Sequence, residues 1–194
     1  MKSKKLLLFA VAAAFAVATL PAAAQLSATY ANTGEVSCVT SPSGFSADLI
    51  PLGTVFVGSS APHGTFTFNA HNKTATANVI NVGLNDTVGG EYSGTAVSSF
   101  TYTVASGGVL TLVPVGTVTG TFLTGSNVGG TDSVVDVPSL TGQIALNGTI
   151  VLTTLTTGVE TITLRNSSGT VLVTNPRICY RTYVLVPVHD RIEE

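Results

Sequence analysis

The chain has 194 residues, of which 9% are charged, and its formal net charge is −2. Residues 25–194 carry five basic side chains against ten acidic ones, a formal net charge of −5, which makes nucleic acid and anionic lipid poor partners because nothing could neutralise a row of phosphates. The abundance of Thr, Val, Gly, Ser and Asn favours β-strands over helices.

The first 24 residues predict a secretory signal peptide of bacterial type. Three lysines precede an uncharged apolar run at residues 6–20, and small residues at 22–24 suit a signal peptidase that cleaves after Ala24. The run is shorter than the roughly 20 residues that span a bilayer, so we expect no transmembrane segment in residues 25–194. These residues are predicted to form a single all-β domain that is secreted or periplasmic.

Beyond the leader, apolar residues recur with a period of two and not at helical spacing. One predicted strand places Phe66 and Phe68 on the same face, turns at residues 69–72 and returns over residues 73–84. A second hairpin turns at the glycines of residues 105–108. Two hairpins in succession predict an antiparallel meander.

The C-terminal half continues the pattern after a long interruption. Residues 123–139 read as the longest loop, with a short edge strand at residues 134–137. Asn147-Gly148 marks a tight hairpin, because a type I′ turn needs positive φ at both central residues. The whole chain predicts about nine to eleven strands in a single antiparallel β-barrel or β-sandwich, mostly a meander.

Two segments carry a family resemblance. The stretch GTFTFNAHN followed by FTYTVASGGVLTL, within residues 64–112, resembles a paired pattern of lipocalin-like secreted bacterial β-barrel proteins. The sequence has no tryptophan, so the Gly-Xaa-Trp signature of true lipocalins is absent. The resemblance implies a barrel with a small-molecule cavity and implies no reaction.

The two cysteines, Cys38 and Cys179, are predicted to form a disulfide, as is usual for distant cysteines in an exported protein. A free nucleophilic thiol is the alternative, but no motif places a histidine near either cysteine. Alternation along the last strand puts Cys179 and Arg181 on one face. Arg181 is therefore expected to reach the barrel rim or an acidic partner such as Glu35, which is near Cys38 in sequence.

No catalytic residue, cofactor or metal site is predicted, and an enzyme is unsupported by any motif. His63, His71 and His189 have no zinc-like spacing and suit exposed loops. Asp132 and Asp136 lie in the long loop and are weak candidates for a calcium site, since their spacing matches no calcium loop. The remaining carboxylates, Glu160 among them, are isolated in the sequence, so no acid–base pair can be assigned.

The inward aromatic and leucine residues leave two functions open. Phe66, Phe68, Tyr102 and Leu112 are predicted to fill the core or to line a pocket for a small apolar molecule. The first function is therefore a non-catalytic exported binding barrel. The alternative is a structural or adhesive pilin-like surface subunit, because Thr-rich strands suit edge-to-edge association. An outer-membrane barrel ranks third, since aromatic girdles are missing.

Overall fold

The computed structural model describes residues 26–85 and 90–188, and within them it contains eleven β-strands and no helix that could cross a membrane. The predicted signal peptide and His189 lie outside the described residues. The strands are β1 (Thr29–Thr40), β2 (Phe56–Asn69), β3 (Thr74–Asn85), β4 (Gly90–Val104), β5 (Val109–Pro114), β6 (Val118–Phe122), β7 (Thr131–Val135), β8 (Leu140–Ile144), β9 (Ile150–Thr154), β10 (Val159–Arg165) and β11 (Val171–Pro187).

The eleven strands close into one antiparallel barrel. Strands β5 and β6 both pair with β4. On their other side, β8 pairs with β5 and β7 pairs with β6, and β9 and β10 both pair with β11. Three barrel strands are therefore each broken in the middle, into β5 and β6, β7 and β8, and β9 and β10, so the wall has eight strand positions. The pairing of β1 with β11 completes the ring, and every strand has a neighbour on both sides.

The three breaks lie side by side and form a seam across the wall. They fall at residues 115–117, 136–139 and 155–158, where Gly116 and Asp136 have positive φ of 71° and 60° and Pro138 has no amide to donate. Next to the break at residues 155–158, β11 pairs with β10 up to Ile178 and with β9 from Thr182. The segment of β11 that carries Cys179 and Arg181 therefore lacks a ladder partner on that side.

Alternation along the strands fills the interior with two apolar clusters. The larger cluster includes Phe66, Phe68, Tyr102 and Leu112, all at most 3% exposed. The rings of Phe68 and Tyr102 meet edge-on, whereas those of Phe66 and Phe100 are stacked. The smaller cluster lies at the level of β6, β7 and β10 and consists of Phe122, Val134, Ile162 and Leu164. Residues of both clusters, among them Phe100 and Val134, line a common cavity together with polar side chains.

The all-β meander predicted from the sequence is confirmed, and the open choice between barrel and sandwich resolves to a closed barrel. The turns at residues 69–72, 105–108 and 147–148 lie between consecutive strands as expected. The predicted long loop at residues 123–139 is wrong in its second part, because β7 occupies Thr131–Val135. That strand is no edge strand, since β6 and β10 flank it. His63 is exposed but lies on β2 and not in a loop.

Candidate binding site

The disulfide between Cys38 and Cys179 is present and joins the first strand to the last. The two residues are direct partners in the β1–β11 register, with Cα atoms 4.1 Å apart, below the separation of about 7 Å beyond which a disulfide cannot form. Cys179 lies where β11 has no ladder partner on its other side, and the amide of Arg181 there donates instead to the Thr154 hydroxyl at 2.9 Å. The disulfide thus fixes β11 to β1 at the level of the seam.

A buried ion cluster lies directly beside the disulfide. Glu160 on β10 is fully buried and accepts hydrogen bonds from Arg177 Nε at 2.7 Å and from Arg181 Nη2 at 2.6 Å to each carboxylate oxygen. Its Oε1 also lies 3.2 Å from Cys179 Sγ. This is a contact and not a hydrogen bond, because a disulfide sulfur carries no proton.

The expected partner of Arg181 was wrong. Glu35 is exposed on the outer face of β1, whereas Arg181 points inward with Cys179 and is 8% exposed. Glu35 is three residues from Cys38, and an odd offset along a strand puts the two side chains on opposite faces. Glu160 shares its face of β10 with the buried Ile162 and Leu164, and this alternation was the sequence signal for an inward carboxylate.

A cavity of about 130 Å³ adjoins the ion cluster inside the barrel. Arg177, Arg181, Asp132, Tyr92 and Tyr183 contribute polar groups to its wall. Apolar or small residues of the lining include Val79, Ala96, Ser98 and Phe100 on β3 and β4, and Val36, which is the β1 partner of Arg181. The lining extends to Ser59 and Leu84, which are exposed, so the cavity reaches solvent at that end of β2 and β3.

Arg181 is incompletely satisfied in this arrangement. Its side chain lines the cavity, and its Nη1 is buried without a hydrogen-bond partner among the described residues. The amide of Asn32 is also buried without a partner in the described part of the chain, but Asn32 does not line the cavity. Leaving a buried donor unpaired costs on the order of 1–3 kcal/mol, and more for a charged group.

Burial changes the acid–base properties of the other polar groups on the wall. Burial raises the pKa of Asp132, and the nearby Arg177 partly opposes that rise. Burial likewise raises the pKa of Tyr183, and the nearby Arg181 partly opposes that rise. Burial also raises the pKa of Tyr92, where a hydrogen bond with Ser60 acts in the opposite direction. The cavity wall therefore favours the neutral forms of the Asp132 carboxyl and of the Tyr92 and Tyr183 phenols.

The remaining residues singled out from the sequence do not meet in this cavity. Phe66, Phe68, Tyr102 and Leu112 are core residues of the larger cluster and none of them lines it. Asp132 points inward, whereas Asp136 is exposed at a strand break.

Within the described residues, the one close group of three potential metal ligands is Cys38, Glu160 and Cys179. Two of these ligands are the disulfide sulfurs and offer no thiolate. The group therefore does not form a metal site while the disulfide is intact.

Comparison with known proteins adds no relative: no family model, no curated protein and no solved structure matches the chain. The lipocalin-like resemblance of residues 64–112 therefore stays a prediction.

Proposed function

We propose that the protein is a non-catalytic binding barrel that holds a small molecule in the cavity beside Arg181. The observation that carries the proposal is a cavity that reaches solvent and is lined by Arg181, whose buried Nη1 has no hydrogen-bond partner among the described residues. Buried polar groups are nearly always hydrogen-bonded, and exceptions point to an unassigned partner. An acceptor atom of a ligand would supply the hydrogen bond that this donor lacks.

The size of the cavity limits the ligand. A cavity of about 150 Å³ in another protein accepts benzene, whereas pockets for drug-sized molecules reach about 300–1,000 Å³. The 130 Å³ here suit a molecule of about six heavy atoms. A small apolar ligand stays within our proposal, provided that it carries an acceptor group, whereas a long lipid or a pigment would not fit.

We also propose that the protein is exported. The disulfide is typical of proteins that fold in an oxidising compartment, and the leader pattern of residues 1–24 agrees with this. Detection of the mature N-terminus at Gln25 in protein recovered outside the cytoplasm would support this part of the proposal, and an uncleaved cytoplasmic chain would contradict it.

The test of binding uses a cavity-filling substitution and an outward control. Ala96 lines the cavity, whereas its neighbour Val97 is 43% exposed on the outer face. Ligand-detected NMR with butyramide and butyrate, each of six heavy atoms, is expected to show binding to the wild type and to Val97→Leu. Ala96→Leu should abolish it. Binding that survives Ala96→Leu, or no binding of either compound to the wild type, refutes the proposal.

The structural or adhesive alternative is less well supported. Edge-to-edge association needs a strand with unpaired backbone groups, and each of the eleven described strands is flanked on both sides. Size-exclusion chromatography at high concentration tests this alternative, which predicts assemblies larger than a monomer.

A further inference from the structure

We infer that the ligand of this cavity is a short-chain carboxylate, with its carboxylate at Arg181 and its alkyl chain against valines that line the cavity on β3, β6 and β7. This inference rests on the proposed binding function and adds the chemical class of the ligand. It is carried by the charge balance of the buried cluster, by its unpaired donor and by the apolar side chains in the cavity lining.

The cluster holds more positive than negative charge next to the cavity. Arg177 and Arg181 contribute two guanidinium groups, and Glu160 is the one carboxylate within 4.0 Å of either among the described residues. Uncompensated charge inside a protein is strongly unfavourable. The cluster is therefore one negative charge short of balance at close range.

Asp132 is the nearest further candidate for that negative charge, but its position makes it a poor one. It lines the same cavity, yet it forms no ion pair with either arginine. Its Oδ1 lies against the Cα of Gly120, where a β-carbon could not fit, so the carboxyl group is held against β6. The groups on other strands that interact electrostatically with Asp132 are Tyr92 on β4 and Arg177 on β11.

The unpaired atom has the geometry for a carboxylate. A guanidinium group presents parallel N–H donors that match the two oxygens of a carboxylate. In Arg181 the Nη2 donates to Glu160, whereas the buried Nη1 has no partner among the described residues, and the side chain as a whole lines the cavity. A ligand carboxylate at Nη1 would supply both the missing acceptor and the missing negative charge.

Valines of the cavity lining that lie away from Arg181 suit an alkyl chain. Val79, Val118 and Val134 come from β3, β6 and β7 and line the cavity, whereas Val36 lies directly beside Arg181 in the β1–β11 register. Their side chains offer no hydrogen bonds, so a chain of a few methylene groups is favoured there by about 0.8 kcal/mol per buried methylene. A fully polar anion such as inorganic phosphate would leave this wall without a partner and would lose its hydration.

The test compares two isosteric compounds on the oxidised wild-type protein, so that it does not depend on any variant folding. Butyrate and butyramide have the same number of heavy atoms and differ in charge. Two-dimensional NMR titrations at neutral pH are expected to show butyrate binding at least about tenfold more tightly than butyramide, the equivalent of about 1.4 kcal/mol. Inorganic phosphate, the third compound, is expected to bind more weakly than butyrate.

Two conservative variants locate the charge contact. Arg181→Lys keeps the positive charge but removes Nη1, and it should weaken butyrate at least about fivefold while changing butyramide less than about twofold. Arg165→Lys, at an exposed arginine that donates to the Gly169 carbonyl, should change neither.

The outcomes separate the two proposals. Equal affinity for butyrate and butyramide, or tighter binding of phosphate than of butyrate, overturns the carboxylate inference and leaves the binding function standing. A cavity that binds none of the three compounds overturns both.

Discussion

Replacement of Glu160 by glutamine tests the buried ion cluster at its centre. Glu160 has no exposed surface and accepts three hydrogen bonds of 2.6–2.7 Å from two guanidinium groups. Glutamine is the same size but leaves both cations without a counter-charge and turns an NH₂ group toward them. Breaking a buried ion pair in this way costs about 3–5 kcal/mol, which corresponds to a fall of about 6–20 °C in Tm for a domain of this size.

The assay is urea unfolding of the oxidised protein at neutral pH, with Glu35→Gln as the matched control. Glu35 is exposed on the outer face of β1, so its replacement should change the free energy of unfolding by less than about 0.5 kcal/mol. If Glu160→Gln cost less than about 1 kcal/mol, or no more than Glu35→Gln, the cluster would not be a buried structural unit and the reasoning would be refuted.

Three further predictions concern the disulfide and the cavity wall. Reduction of the Cys38–Cys179 bond, which closes a separation of 141 residues, should lower the free energy of unfolding by up to about 5 kcal/mol in urea titrations, and a loss under about 1 kcal/mol would contradict its role at the seam. Gly120→Ala forces a β-carbon against Asp132 Oδ1 and should destabilise by about 1–3 kcal/mol in thermal unfolding, whereas Gly158→Ala, where the nearest atom is 3.4 Å away, should not. Burial raises the pKa of Asp132, so the stability associated with its neutral form is complete below about pH 4 and is lost as the pH rises through the folded-state pKa. Asp132→Asn should therefore be more stable than the wild type at neutral pH and equal to it near pH 3, and a difference that is independent of pH would count against this.

Alternation and turn residues were sufficient to predict most of the fold. The two-residue period of a strand predicted that Phe66 and Phe68 share one face and that Cys179 and Arg181 point inward together. The Asn147-Gly148 turn followed from the residues that a tight hairpin requires. The breaks were missed because a break keeps the same alternation on either side. At residues 136–139, an aspartate with positive φ and a proline resemble a loop in sequence, although they only interrupt a barrel strand.

The site could be predicted only in part, because it depends on the register between distant strands. The disulfide was predictable from compartment and cysteine count alone. The cluster was not, since Glu160 meets Arg177 through the β10–β11 register and a single sequence contains no direct record of that pairing. Applying alternation to β10 as well as to β11 would have identified Glu160 as an inward carboxylate and removed Glu35 from consideration.

The most direct test of the binding proposal is the measurement of intermolecular NOEs between butyrate and the isotope-labelled, oxidised protein. A ligand inside the barrel should show NOEs from its methyl protons to the inward methyl groups of Val79 and Val118, and from its α-methylene protons to the Tyr183 ring. NOEs confined to outward residues such as Val82 and Val97, both more than 40% exposed, would contradict the account and place any binding on the outer surface.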